Sequence, residues 1–201
     1  GNPVYDAPIN LDFSEGTTGL KYWVLGESQK GNKNLIVEDG VLKAGPGLLD
    51  YDNGWQETGP ARFKIPNAQV GDVVRVRYDF NINLDNIVSY DAEGAVDETA
   101  TQALKDRVTG GERVLYIIVR QYDSAGNKIT DQQLDLTANT QGTKVSKGFT
   151  LNSSDDFFRI IICSAKGLKD AWEVSNIAVL KRIQEDSKDN TNGAMDSPFF
   201  E

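Results

Sequence analysis

The stretch Val74-Arg75-Val76-Arg77-Tyr78-Asp79-Phe80-Asn81-Ile82-Asn83-Leu84 decides the fold, because six apolar residues alternate strictly with five polar ones. Successive side chains of a strand point to opposite faces, so this pattern is a strand with one buried and one wet face. Working outward from it, short runs rich in β-branched and aromatic residues recur with Gly, Asn, Asp and Pro between them. Helical periodicity is nearly missing. Candidate strands are Asn10 to Phe13, Tyr22 to Leu25, Ala61 to Ile65, Lys144 to Leu151, Phe157 to Ser164 and Trp172 to Ile183. Turn chemistry adds two hairpins, one folding Leu35 to Leu42 around Asp39-Gly40 and one folding Tyr116 to Leu136 back at Asp123-Ser124-Ala125-Gly126-Asn127. About ten short strands at this spacing predict an all-β, two-sheet antiparallel sandwich or jelly roll. Its expected core holds Val74, Val76, Tyr78, Phe80, Ile117, Val119, Phe158, Ile160 and Ile162, with Trp23 and Trp172 as further anchors.

Two segments break the strand pattern. Asp85 to Gly111 reads as an insert in which Asp97 to Arg107 forms a short helix, with Asp97 as N-cap and Gly110-Gly111 beyond its end. From Gln184 onward the chain is polar enough to leave the core as a tail, although Met195, Phe199 and Phe200 can dock back. The expected layout is an extension over residues 1–8, a sandwich over 9–183 and a tail over 184–201. Gly1-Asn2-Pro3 carries neither the charged nor the apolar region of a signal peptide.

Composition excludes several classes of function. The 201 residues, 39% of them hydrophobic, suffice for one substantial core. A net charge of -9 repels phosphate backbones and anionic lipid, so nucleic acid is not an expected partner. The chain has no histidine, which removes Ser-His-Asp and Cys-His catalysis and every His-ligated metal site. Cys163 is the one cysteine, so neither an intrachain disulfide nor a cysteine-based metal cluster can form. No apolar run approaches the ~20 residues of a membrane helix. Carboxylate-based glycosidase or lyase chemistry is left open but has no motif here; Asp131 to Asp135 and Glu93 to Glu98 read as solvated edges or loops.

If Val74, Val76, Tyr78 and Phe80 face the core, then Arg75, Arg77, Asp79, Asn81 and Asn83 share the opposite face of that strand. By the same rule Tyr116, Arg120 and Tyr122 face outward from one later strand, and Phe157 and Arg159 from another. A pyranose offers an apolar C–H face to an aromatic ring, and its hydroxyls need fixed donors and acceptors, so these residues suit a sugar. Trp55, in the polar loop Leu49 to Gly59, completes the set. A plainer reading stands beside this one, in which the charged rows solubilise exposed sheet faces and Trp55 is a lid on one end of the sandwich.

Five motifs occur in the order seen in one known family. They are Asn10-Leu11-Asp12-Phe13-Ser14-Glu15-Gly16 with Gly19-Leu20-Lys21-Tyr22-Trp23, then Asn53-Gly54-Trp55, Val70-Gly71-Asp72-Val73-Val74, Tyr122-Asp123-Ser124-Ala125-Gly126, and Trp172-Glu173-Val174-Ser175-Asn176-Ile177-Ala178-Val179. In this order the chain resembles the jelly-roll carbohydrate-binding modules of the galactose-binding-domain-like superfamily over most of Ile9 to Arg182. The resemblance implies a non-catalytic module, extracellular or on a bacterial cell surface, that binds polysaccharide or oligosaccharide. The outward rows and the loop of Trp55 give Trp55, Arg77, Asp79, Asn81, Tyr116, Arg120, Tyr122 and Arg159 as the expected ligand-binding residues, and the resemblance adds that a Trp at the position of Trp55 is frequently near the ligand. One structural calcium is expected where the first and last strands meet, on Asp12, Glu15 and Asn176. The family has Glu and Asp where this chain has Ser14 and Asn176, and Arg shortly before the Trp where it has Asp50 and Asp52. The alternative is a structural or protein-interaction jelly roll.

Overall fold

The computed structural model describes residues 4–14, 35–44, 55–58, 62–136, 139–168 and 170–183, with backbone alone at Leu35, Trp55 to Thr58 and Arg62. Among them are the strands β1 (Val4–Leu11), β2 (Leu35–Glu38), β3 (Val41–Ala44), β4 (Trp55–Thr58), β5 (Arg62–Lys64), β6 (Val73–Ile82), β7 (Leu115–Tyr122), β8 (Lys128–Asp135), β9 (Gln141–Val145), β10 (Phe149–Thr150), β11 (Phe157–Ala165) and β12 (Trp172–Ile183), with one helix, α1 (Glu98–Thr109). All sheet pairings are antiparallel. The first sheet is centred on β6 and β12. β9 and β10 flank β6, while β1 and β3 flank β12 and β2 follows β3. The second sheet is centred on β11, with β4 and β5 on one edge and β7 followed by β8 on the other.

The alternation quoted above becomes geometry in β6. Val74, Val76, Tyr78, Phe80 and Ile82 are buried in one continuous cluster with Leu115, Ile117 and Val119 of β7 and Phe158, Ile160 and Ile162 of β11. All nine expected core residues belong to it, and Trp172 is 2% exposed. Aromatic contacts line the core: Phe149 of the first sheet meets Phe158 of the second edge-on at 5.7 Å, joining the layers, and within the second sheet Phe63 stacks on Phe158 at 5.9 Å.

Both expected hairpins form. Asp39 (φ 53°) and Gly40 (φ 76°) take the left-handed backbone that a two-residue turn between twisted strands requires. In the second hairpin the Asp123 carboxylate accepts the amides of Ala125 at 3.0 Å and Asn127 at 2.8 Å, which fixes the turn. The expected helix starts as its cap dictates, with Asp97 Oδ1 accepting the Ala100 amide at 2.9 Å, and it buries Leu104 and Val108 in the core. It is not long and apolar enough to cross a membrane.

The structure differs from expectation at three places. β1 begins at Val4 rather than Asn10, because β12 runs far enough to pair Ile183 with Val4; residues 4–8 are sheet, not extension. Lys144 to Leu151 is two strands rather than one. At Ser146 the side-chain hydroxyl accepts the Val76 amide at 2.8 Å, interrupting the ladder between β9 and β10. Trp55 opens a strand rather than lying in a loop, with its backbone opposite Ala165. The expected strand Tyr22 to Leu25, Trp23 and the 184–201 tail lie outside the described residues.

Two buried polar side chains differ in how far they are satisfied, Asp156 through one of its two oxygens and Tyr78 not at all among the described residues. Asp156 Oδ2 accepts from Gln121 Nε2 at 3.0 Å and from the amides of Asn152 and Ser153, and Gln121 also donates to the Thr150 carbonyl at 2.9 Å. That network ties β7 to the β10–β11 connection. The Tyr78 hydroxyl, in contrast, is buried with no hydrogen-bond partner among the described residues, and burial pushes its pKa up. Phe80→Ala is expected to cost about 3–5 kcal/mol in urea unfolding. Tyr78→Phe is expected to be neutral or stabilising by about 1 kcal/mol, since it removes an unsatisfied buried group; a clear loss of stability would show a partner for that hydroxyl.

Candidate functional site

The eight residues expected to bind ligand do not form one platform. Arg77, Asp79 and Asn81 lie on β6, whose outward face belongs to the first sheet. Tyr116, Arg120, Tyr122 and Arg159 lie on β7 and β11, with the Trp55 backbone on β4, all in the second sheet. The described side chains of each set point away from the shared core, so the two occupy opposite sides of the sandwich.

On the first sheet the outward row is closed by its own chemistry. Asp79 Oδ1 accepts from the Thr143 hydroxyl on β9 at 2.6 Å, and Asp79 Oδ2 accepts from Asn176 Nδ2 on β12 at 2.8 Å. Asn176 reaches it because β12 shifts register between Ser175 and Ala178, where Asn176 takes φ 50°. Partial burial raises the Asp79 pKa, but the hydrogen bonds from Thr143 and Asn176 and the charge of Arg77 outweigh it and hold the carboxyl below 3.8. Asp79 therefore clamps three strands together. The described aromatic residue on this face is Tyr5 of β1, opposite Arg182 on β12.

The outward face of the second sheet reads as successive rungs across β11, β7 and β8. Lys64, Phe157, Tyr122 and Lys128 share one rung, and Arg62, Arg159, Arg120 and Asp131 share the next. Ile161, Ile118 and Gln133 follow, then Glu57, Cys163, Tyr116 and Asp135. The Tyr122 and Phe157 rings stack at 4.9 Å and 13°. Arg120 Nη1 donates to the Tyr122 hydroxyl at 3.2 Å, and its Nε lies 3.5 Å from Asp131 Oδ2. The Arg113 guanidinium sits 4.8 Å over the Tyr116 ring and binds Asp135 at 2.8 Å. Tyr116, Arg120 and Tyr122 are half-buried, and Arg159 is 8% exposed. Ile118, Ile161 and Cys163 form a small buried apolar cluster among them.

Asp131 is the member of this face that the outward rule did not name, since that rule had already placed Phe157 outward. The hairpin turn at Asp123 to Asn127 carried the signal for Asp131, since folding β8 back on β7 sets it opposite Arg120. The side chain of Trp55 lies outside the described residues, as does Glu15. For calcium, Leu11 pairs with Ile177, which brings Asp12 level with Asn176 at the expected corner. The Asp12 carboxylate, its pKa lowered chiefly by the Ser14 amide, caps that amide at 3.0 Å and the Ser14 hydroxyl at 2.8 Å, while the Asn176 amide faces Asp79. Calcium takes 6–8 oxygens. Among the described residues no cluster of three acidic, histidine or cysteine side chains forms.

No protein-family model matches the chain, and no curated protein matches it. Among solved structures it is similar to the CBM22-1 xylan-binding domain of Paenibacillus barcinonensis Xyn10C, with 12% identity over 92% of this chain and 100% of that one and a TM-score of 0.40. It is similar to the CBM22-1-CBM22-2 tandem domain of the same protein, with 12% identity over 95% of this chain and 50% of that one and a TM-score of 0.41. The GH26-CBM35 β-(1,4)-mannanase of Podospora anserina gives 8% identity, 92% and 29% coverage, and a TM-score of 0.35. At TM-scores below 0.5 these likenesses decide neither ligand nor site.

The Asp79 clamp has a pH signature. Its folded pKa is depressed, so its contribution is complete above the unfolded value of 3.8 and is lost as pH falls through the folded value. Asp79→Ala is expected to lose about 1–2 kcal/mol by urea unfolding at neutral pH. The gap between variant and wild type should close as acid protonates Asp79; a gap unchanged below the folded value would mean that its charge contributes nothing.

Proposed function

We propose that this chain is a carbohydrate-binding domain that holds polysaccharide across the outward face of the second sheet without altering it. The observation that carries this is the Tyr122–Phe157 stack in the rung beside Arg120, whose guanidinium is oriented by the Tyr122 hydroxyl and Asp131. A sugar needs an aromatic surface for its C–H face and oriented planar groups for its hydroxyls; the half-buried Tyr122, backed by the buried Phe157, supplies the first and Arg120 the second. Catalysis is disfavoured here. Asp131 and Asp135 face outward from one strand four residues apart, roughly 13 Å at ~3.3 Å per residue, beyond the ~9.5 Å that glycosidase carboxylates span. An exported or surface location suits such a role.

One observation favours a second reading. Ile118, Ile161 and Cys163 point away from the core yet are buried within the chain itself, which is what a sheet face capped by another part of a structural or interaction domain would have. Calcium at Asp12, Glu15 and Asn176 is also a proposal. A melting temperature that rises with calcium and falls with chelator supports it, and one indifferent to both removes it.

Isothermal titration calorimetry against a panel of neutral and acidic polysaccharides tests the main reading. Dissociation constants are expected between micromolar and millimolar, about -8 to -4 kcal/mol. Tyr122→Ala is expected to weaken binding at least tenfold with little change in melting temperature, and Trp55→Ala to weaken it through lost stacking surface. Binding to no glycan in the panel would give the interaction-module reading precedence.

A further inference from the structure

β8 turns alternate side chains onto the outward face of the second sheet, and there it presents Asp131, Gln133 and Asp135 opposite Arg120, Ile118 and Tyr116 of β7. Leu134, between the last two, points the other way into the core. The members of this row differ in what already occupies them. Asp131 meets Arg120 at 3.5 Å and Lys128 at 3.6 Å, both through Oδ2, and Asp135 meets Arg113 at 2.8 Å through Oδ1. The second oxygen of each carboxylate takes no hydrogen bond among the described residues. Gln133 is exposed, and its side-chain amide makes no hydrogen bond there either. A carboxamide carries an acceptor and two donors, so it gives one hydrogen bond and takes another from neighbouring hydroxyls, which neither an ammonium nor a carboxylate can do.

The charges around Gln133 select against an anion. Lys64 is paired with Asp155 at 3.5 Å, Arg120 and Lys128 with Asp131, and Arg113 with Asp135, while Arg159 is only 8% exposed. An arriving carboxylate meets Asp131 and Asp135 on either side of Gln133, and it gains one of their cations only by displacing a carboxylate already there. A hydroxyl displaces nothing. It donates to the open carboxylate oxygens, and hydrogen bonds to a charged acceptor are about twice as strong as neutral ones. The net charge of -9 repels anions at longer range as well.

We propose that Gln133 is the residue of this face that reads sugar hydroxyls, and that the glycan it reads is uncharged and offers neighbouring free hydroxyls along β8. This rests on the reading of the same face as the glycan site. Gln133 stands two rungs from Tyr122, roughly 13 Å at ~3.3 Å per residue, so the two meet different units of one chain.

The test is calorimetry with glucomannan, β-glucan and galactan on the wild-type chain, Gln133→Ala and Tyr122→Ala. The tightest binder is measured again after oxidation of its primary hydroxyls to carboxylates, which alters no residue of the protein. Wild type is expected to bind at least one neutral polysaccharide, and Gln133→Ala to weaken that binding about tenfold with an unchanged melting temperature. Oxidation of the ligand should weaken binding by about tenfold or more, and added salt should restore part of the loss by screening the repulsion. Gln133→Ala that binds like wild type overturns the role of Gln133 and leaves the glycan site, which Tyr122→Ala tests separately. An oxidised ligand bound as tightly as the neutral one, or a loss that salt leaves untouched, overturns the selection against charge. Failure of wild type to bind any of the polysaccharides overturns the glycan reading and this inference with it.

Discussion

Everything in this molecule depends on one constraint: a strand offers alternate residues to opposite sides, and two sheets can bury only one side each. β6 gives Val74, Val76, Tyr78 and Phe80 to the shared core, and β7 and β11 answer with Ile117, Val119, Phe158, Ile160 and Ile162. That burial is the dominant favourable term, and it leaves no freedom over the remaining residues. Arg77, Asp79 and Asn81 must face one way; Tyr116, Arg120, Tyr122 and Arg159 must face the other. Sliding either central strand by one residue would put arginines in the core.

The two outward faces then take different chemical courses. On the first sheet, Thr143 and Asn176 saturate both oxygens of Asp79, so the polar row becomes a cross-strand clamp. On the second, rings and guanidinium groups orient one another, as with Tyr122 on Phe157, Arg120 on Tyr122 and Arg113 on Tyr116. Mutual orientation of this kind reduces the entropy lost when a ligand is bound.

What was legible in the sequence was local. The alternation of Val74 to Leu84, the Asp39-Gly40 and Asp123 to Asn127 turns, and the Asp97 cap all act over a few residues, and each produced its element. Sheet partnership was not legible, because β6 finds β12 and β9 across long separations that no short pattern encodes. Outward residues of β6 and β7 were therefore joined into a single surface, which the pairings divide between two sheets. β11 hid its faces for another reason: Phe157 to Ala165 is buried on both sides, so its period cannot be read from hydrophobicity. The bulge that turns Asn176 toward Asp79 was equally invisible, since it follows from a register shift rather than from residue type.

The central claim is that ligand meets the second sheet and not the first. Amide-resolved nuclear magnetic resonance, with the tightest-binding saccharide of the panel titrated into isotopically labelled protein, tests this most directly. The account predicts shifts concentrated at Tyr116, Arg120, Tyr122, Asp131 and Gln133, with Arg77, Asp79, Asn81 and Thr143 unmoved. Shifts centred on Asp79, Asn81 and Thr143, with β7 and β8 silent, would contradict it.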